Sequence, residues 1–573
     1  MLSSVGDLAD LRDHGIMIEY QLPLASKRLD VMITGHSRES KQQAIVLELK
    51  QWSKCTHADG AHQVVTFVGG AQREVNHPSE QVRGYVEYLR DVHTAFQGPD
   101  AINLSGCSFL HNYQLERDSV LKDDKFKDLV SAYPLFGNND FDDLAAHLNN
   151  AVGLGGGMDV LPLIERSAYR PSKKLMMHVA ETIAGNKNYV LLDEQRVIYD
   201  KVLALVDKAM SRARKQVVIV KGGPGTGKSV IALNLMGDLS RLGKVAHYAT
   251  GSKSFTETLR EVVGKRAGVQ FKYFNTYMNA EPNALDVLIC DEAHRIRKTS
   301  NSQYTKKDQR STKAQIEELL YVSRVLVLFI DNYQTVRPDE IGKVSYVHEY
   351  LQQRDDVDIH EYELTTQFRC GGSETFIEWV NDTLGIVKSA SPVLEPSDSF
   401  EFRICQTPFE LEQLIRARVD EGFTARMMAG YCWPWSMPNG DGTLVDDVVI
   451  GDWSRPWNAK PDASRLAPGI PKAPLWAYSP GGIDQVGCIY TAQGFEFDFA
   501  GIIVGNDFVY DLDKGQWIAH RDRSCDGTLK RSASYLEYAR NLYRVLLTRG
   551  MKGCYVYFVD KDTERFVRSR LRT

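Results

Sequence analysis

Nine cysteines without a single C-x-x-C pair give neither a zinc-binding pattern nor a disulfide framework. No apolar stretch approaches the ~20 residues that a membrane helix needs. The opening residues Met1 to Asp7 soon meet charge and carry no long apolar segment, so no signal peptide is expected. A reduced, cytoplasmic setting away from the membrane is the resulting expectation. Positive charge is not in excess: 69 Lys and Arg against 74 Asp and Glu leave a net charge of −5. That argues against a uniformly basic coat and leaves room for a local basic groove. No internal repeat is evident. What is present is ordinary for a globular chain, at 43% hydrophobic and 25% charged residues. The length of 573 residues suffices for several domains.

Residues Gly222-Gly223-Pro224-Gly225-Thr226-Gly227-Lys228-Ser229 form a complete phosphate-binding loop after the apolar run Val217-Val218-Ile219-Val220. Backbone N–H groups of such a loop converge on one concavity, and the following helix adds its positive end. Lys228 can reach the β- and γ-phosphates of ATP, and the Ser229 hydroxyl can ligate Mg²⁺. The helical pattern Val230 to Met236 supplies the context that an incidental glycine turn would lack.

Val287-Leu288-Ile289-Cys290-Asp291-Glu292-Ala293-His294 reads as a buried strand ending in two carboxylates. Asp291 suits Mg²⁺, directly or through water, and Glu292 suits orientation and deprotonation of an attacking water. Leu326 to Ile330 is another strand, running into Asp331 and Gln334, the place for a γ-phosphate sensor. Gln195, in Leu191-Leu192-Asp193-Glu194-Gln195, opens a helix upstream of the loop and could read the adenine edge. Arg369 and Arg549 each stand next to a strand-like run, placed to close on a γ-phosphate from a second lobe. Trp433, Trp435, Trp453, Trp457 and Trp476 could stack bases, although tryptophans that pin a core or a loop are commoner.

The order of these segments resembles superfamily 1 helicases, and over residues 190–573 it is most similar to the Schlafen-type (group III) DNA/RNA helicase domain. The resemblance implies two RecA-like lobes with Lys228, Ser229, Asp291, Glu292, Gln334, Arg369 and Arg549 around ATP. It also implies that Thr250, Gly251, Thr491 and Gln493 lie near a strand path. The family's histidine-glycine pair is missing, since Tyr490-Thr491-Ala492 precedes Gln493-Gly494.

Before the motor, Arg28 to Ile33 and Ala44 to Lys50 read as strands. Period two puts Glu48 and Lys50 on one face of the second, with Asp30 on its neighbour. Two carboxylates and an ammonium suit Mg²⁺- or Mn²⁺-dependent phosphodiester hydrolysis. Glu19 on an earlier strand is a further candidate ligand. Gln81 and Tyr85, four apart, share a helix face. The same triplet spacing at Glu39-Ser40-Lys41 and Asp123-Asp124-Lys125 shows how little the bare pattern means. With Gln81 and Tyr85 it resembles the PD-(D/E)XK nuclease fold, in particular its RecB-like branch.

An α/β chain is therefore expected: a nuclease-like domain at 1–150, a linker and connecting helix at 151–189, a first RecA-like lobe at 190–345, and a second at 346–573. The glycine-rich stretch Asn149 to Gly157 is the expected break, Pro171-Ser172-Lys173 the start of the connecting helix, and 429–482 an insertion within the second lobe. The leading functional expectation is an ATP-driven translocase or helicase coupled to a DNA nuclease. Its partner is DNA or RNA, with a second copy of the chain or a defence-system protein as further candidates, and DNA repair, restriction or antiviral defence as its setting. Two alternatives stand beside it: a motor whose N-terminal module only grips nucleic acid, and a nucleotide-switched regulatory protein.

Overall fold

Strands form where the apolar runs are densest, and what covers their faces decides which runs alternate and which do not. The computed structural model describes residues 11–572 apart from 24, 170–174, 184–188, 210–213, 303–304, 390–392 and 398. The expected helix start at Pro171-Ser172-Lys173 lies outside the described residues. The chain divides into two units, 1–173 with 187–207, and 174–186 with 208–573.

In the first unit the strands are β1 (Gly15–Gln21), β2 (Arg28–His36), β3 (Gln42–Lys50), β4 (Cys55–His57), β5 (Gln63–Val68), β6 (Ala71–Asn76), β7 (Asn103–Leu110) and β8 (Leu135–Gly137). The main sheet has the order β1-β2-β3-β7-β8. Its first pairings are antiparallel, while β3–β7 and β7–β8 are parallel. Helix Pro78–Val92 crosses from the small β4-β5-β6 sheet towards β7 and buries Val82, Tyr85, Val86 and Leu89. Its fit to the sheet needs Gly106 on β7, where a Cβ would lie 2.4 Å from Val82 Cγ1. The opposite face carries helix Phe141–Val152, with Leu144, Leu148 and Val152 packed on Val31, Ile33, Ile45 and Leu47. Covered on both sides, β3 is apolar from Ala44 to Leu47 without alternation.

Two expected boundaries move. The stretch from Asn149 is not a break, because Leu148 and Val152 are fully buried and hold the helix through Asn149, Asn150 and Ala151. Gly157 then opens another helix, Gly157–Arg166, with Thr34 Oγ1 donating to its carbonyl at 2.9 Å. Residues 190–207, expected to open the motor, pack into the first unit. Gln63 Nε2 donates to Val197 O at 2.7 Å, and Lys201 Nζ to Glu74 Oε1 at 2.8 Å.

The second unit contains two parallel sheets. The first is built from β9 (Lys215–Gly222), β10 (Ala246–Thr250), β11 (Phe271–Tyr273), β12 (Leu285–Asp291), β13 (Ser323–Ile330) and β14 (Val357–Leu364), in the order β11-β10-β12-β13-β9-β14. Because β14 pairs with β9 along its length, this sheet runs past the expected boundary at 345. The second sheet, β15-β23-β20-β16-β19, uses β15 (Glu401–Ile404), β16 (Ala425–Ala429), β19 (Val486–Cys488), β20 (Phe497–Val504) and β23 (Gly550–Phe558). Two antiparallel pairs, β17 (Val448–Ile450) with β18 (Trp453–Arg455) and β21 (Phe508–Asp511) with β22 (Gln516–Ala519), complete the strands. No helix among the described residues is long and apolar enough to cross a membrane.

Candidate functional site

In the second unit β9 delivers the phosphate loop, and helix Lys228–Arg241 leaves it. Gly225 (φ +79°) and Gly227 (φ +82°) take left-handed backbone. Gly225 is also sterically required: a Cβ there would meet Gln367 Oε1 at 1.9 Å and Arg369 Cβ at 2.5 Å. The segment after β14 therefore seats directly on the loop. Gln367 Nε2 donates to Pro224 O at 2.7 Å, and the Phe368 N–H to Gly225 O at 2.9 Å.

Lys228 is buried, and its ammonium donates to Gly222 O at 2.7 Å and Gly223 O at 2.6 Å. Burial pushes its pKa down, against the pull of Asp331, Glu292 and Asp291. Ser229 Oγ donates to Asp291 Oδ2 at 2.5 Å, and the Tyr248 hydroxyl donates to the same oxygen. A hydroxyl and a carboxylate meeting at one point fit a Mg²⁺ that takes its other ligands from phosphates and water. Asp291 is pushed up by burial and by its neighbour Glu292. Burial would raise Glu292 as well, but His294, Lys228 and Arg549 outweigh it and hold its carboxyl at about 2. Glu292 stands at φ +53°, with His294 Nε2 3.0 Å from its Oε2 at ion-pair distance without hydrogen-bond alignment.

The second sheet contributes from the other side. Arg549, between helix Tyr535–Leu547 and β23, is 1% exposed and donates to Val545 O and Phe495 O, leaving Nη2 buried without a partner. Burial and the nearby Arg369 lower its pKa, while Glu292 pulls it up. Arg369 is ion-paired with Glu496 at 2.6 Å. Gln334 is buried with Oε1 unpartnered, and its carbonyl accepts from Gln493 Nε2 at 3.3 Å, which joins the two sheets' loops. Thr250 is fully buried and accepts the Ser252 N–H, Gly251 has its Cα against Arg295, and Thr491 Oγ1 donates to Asn458 Oδ1 at 3.0 Å. Tyr490, in the histidine-glycine position, lies under Arg337 at 3.8 Å and donates to Asp526.

Some residues here went unnoticed in the sequence. Arg544 is buried, 3.5 Å from Asp331 and bonded to Asn381, and its only prior signal was its place five residues before Arg549 in one helix-ending segment. Glu496 had no signal beyond its place after Gln493-Gly494. For the tryptophans the commoner of the two expected roles holds: Trp453, Trp457 and Trp476 are fully buried. Trp433 and Trp435 are half-buried and donate to Val449 O and Asn458 O. Their indoles pin the 429–482 loops onto the second sheet's core.

Gln195 falls in the first unit, buried, with Oε1 accepting the Leu192 N–H at 3.2 Å. That unit also brings Asp30, Glu48, Lys50, Gln81 and Tyr85 together. The β2–β3 register, with Val31 opposite Leu47, sets Asp30 beside Glu48, and Asp30 Oδ2 accepts the Leu49 N–H at 2.7 Å. Lys50 Nζ is 2.8 Å from Glu48 Oε1, and Glu48 Oε2 is buried without a partner. Burial drives the Glu48 carboxyl up to about 7 against the pull of Lys50. Gln81 Nε2 donates to the Tyr85 hydroxyl at 2.8 Å.

Glu19 must be struck from the ligand set. It is exposed, at φ +53° in the edge strand β1, and no three His, Cys, Asp or Glu side chains group as a metal site among the described residues. Asp30 and Glu48 remain, and a Mg²⁺ held by one or two carboxylates and completed by substrate phosphates needs no third.

The family model for the Schlafen group 3 DNA/RNA helicase domain matches residues 215–560, more than half of the chain. An uncharacterized protein of Saccharomyces cerevisiae, YPL245W, is 25% identical over 456 residues, covering 70% of this chain and 96% of its own. Among solved structures, the Pif1 helicase from Candida albicans matches with 11% identity and a TM-score of 0.26, over 65% of this chain and 98% of that one.

Proposed function

We propose that the second unit of this chain, which belongs to the Schlafen group 3 DNA/RNA helicase domain family, is an ATP-driven nucleic-acid translocase or helicase, and, from its own side-chain geometry, that the first unit is a Mg²⁺-dependent DNA nuclease. One observation carries the motor reading: Lys228, Ser229, Asp291 and Glu292 from the first sheet and Arg549 from the second share one buried, electrostatically coupled site.

In this reading Lys228 and the loop N–H groups hold the β- and γ-phosphates, and Ser229 with Asp291 would hold Mg²⁺, which would supply neutralisation of charge on the phosphates. Glu292, ionised across the physiological range, orients the attacking water and accepts its proton. Gln334 senses the γ-phosphate. Arg549 keeps a free Nη2 for developing negative charge, and Arg369 exchanges its Glu496 partner for the same charge. Because Arg549 belongs to the second sheet, nucleotide turnover moves that sheet's loops, and the Gln493–Gln334 bond passes the movement to Thr491 and the strand path.

For the first unit, the supporting observation is the Asp30–Glu48 pair with Lys50 at hydrogen-bond distance and an unpartnered Glu48 oxygen. Asp30 and Glu48 would hold Mg²⁺ or Mn²⁺, which would make a bound water more acidic and offset charge on the leaving oxygen. Lys50 positions that water or offsets charge, and Gln81 and Tyr85 orient the strand. DNA repair, restriction or defence against foreign DNA are settings that such coupling would serve.

Labelled DNA incubated with Mg²⁺ and ATP tests the pairing. Lys50→Ala should abolish cleavage and leave ATP hydrolysis intact, and Lys228→Ala should abolish hydrolysis. Cleavage that survives Lys50→Ala removes the nuclease assignment. Hydrolysis that survives Lys228→Ala removes the motor.

A further inference from the structure

An acidic side chain that no sequence motif pointed to stands in the first unit's site. Asp193 follows Tyr85 by 108 residues, yet the Tyr85 hydroxyl donates to its Oδ2 at 3.4 Å. Lys27 Nζ lies 3.3 Å from the same oxygen, Lys50 acts on this carboxylate electrostatically, and the carboxylate acts in turn on Glu48. The anion is thus received by an ammonium and a phenol, beside a second ammonium.

The turn that presents it is held independently of that side chain. Asn76 Nδ2 donates to the Asp193 carbonyl at 3.0 Å, and the Val197 N–H reaches it at 3.1 Å. Lys27 also donates to Glu194 at 2.9 Å. Asp193 itself stands at φ +41°, a left-handed conformation that a non-glycine residue keeps only where its surroundings impose it. Next to it, the buried and unpartnered Oε2 of Glu48 marks a site whose polar groups are not all satisfied within the protein. A carboxylate oxygen that takes an ammonium and a hydroxyl presents the same charge and acceptor chemistry as a non-bridging phosphate oxygen.

We propose that Lys27, Lys50 and Tyr85 form a binding subsite for a backbone phosphate of nucleic acid, and that Asp193 fills it as an internal substitute until a strand displaces it. The ligand class rests on the nuclease reading of this unit, while the occupied subsite rests on the contacts of Asp193. A phosphate that enters must compete with a tethered carboxylate, so apparent affinity falls by the fraction of time the subsite is open. Asp193→Asn, nearly isosteric, removes the competing charge and keeps the turn.

The test uses the full chain in EDTA with a single strand that carries 5-bromodeoxyuridine, ultraviolet crosslinking and peptide mapping. Asp193→Asn should raise crosslinks to the peptides bearing Lys27 or Tyr85 by roughly tenfold. Crosslinks within 215–560 should not change. Lys27→Gln should lower the first-unit crosslinks below wild type, a readout that survives if Asp193→Asn folds poorly. First-unit crosslinks that stay level or fall in a folded Asp193→Asn protein, or that persist in Lys27→Gln, overturn the subsite. Addition of Mg²⁺ separates the two ideas. Raised crosslinks without any cleavage sink the nuclease reading alone, and cleavage with unmoved crosslinks sinks the subsite alone.

Discussion

Alanine at Gly225 tests whether the phosphate loop and the segment after β14 form one interlocked element. The new Cβ would sit 1.9 Å from Gln367 Oε1 and 2.5 Å from Arg369 Cβ, on a backbone at φ +79°. Left-handed backbone costs an alanine roughly 1–2 kcal/mol. The clash with Gln367 is relieved only if its side chain leaves, which breaks its bonds to Pro224 O and to the Arg369 N–H, and the contact with Arg369 Cβ adds to that loss. At about 1 kcal/mol for each bond, the total loss is about 3–4 kcal/mol. Gly223→Ala is the control, because a Cβ there meets nothing within 4 Å. It should stay within about 0.5 kcal/mol of wild type. Urea unfolding followed by tryptophan fluorescence reports the right unit, since every tryptophan except Trp52 lies in the second. Equal unfolding curves for Gly225→Ala and wild type would refute the interlock, and with it the idea that Arg369 is positioned by the loop it serves.

Glu292→Gln should bind ATP with near wild-type affinity and hydrolyse it slowly, as read by fluorescent-nucleotide binding against single-turnover hydrolysis; loss of binding would make the residue structural. Arg549→Lys should lower the turnover number by about 10³-fold, at the low end for an arginine that meets transition-state charge, with little change in ATP affinity. Equal turnover would remove Arg549 from the chemistry. Part of the pH response of the first unit follows from His77, which is fully buried, with Nδ1 accepting the Ser79 N–H and Nε2 bonded to Leu121 O. Burial holds its pKa at about 4, below the 6.5 of a free imidazole. Its folded pKa is depressed, so its contribution is complete above about pH 6.5 and is lost as pH falls towards 4. His77→Asn keeps a capping side chain and should flatten that part of the stability–pH curve. An unchanged slope would assign the acid sensitivity elsewhere.

What was legible in the sequence was what neighbouring residues decide. The run Val217–Val220, the glycines after it and the helix from Lys228 lie within one short stretch, so strand, loop and helix could be read directly. Period two sufficed to bring Glu48 and Lys50 to one face of β3. Long-range packing was not legible. Nothing near Asn149 announces that Leu148 and Val152 are buried on β2 and β3, so glycine content suggested a break inside an ordered unit. Residues 190–207 belong with the first unit because of Lys27, Gln63, Glu74 and Asn76, all more than a hundred positions earlier. Asp193 was hidden for the same reason, inside a segment whose Gln195 drew attention to adenine. The tryptophans stayed open between base stacking and the commoner pinning role because composition cannot tell an indole bonded to Gly482 O, as in Trp476, from one offered to a base.

Steady-state ATP hydrolysis by the full chain, measured with and without single-stranded DNA or RNA across a salt series, addresses the motor most directly. Hydrolysis should rise several-fold with a strand present, and the strand concentration needed should climb steeply with salt, because each counterion released by a phosphate contact gains less entropy in a more concentrated solution. A hydrolysis rate that is the same with no strand, with DNA and with RNA at every salt concentration would contradict it.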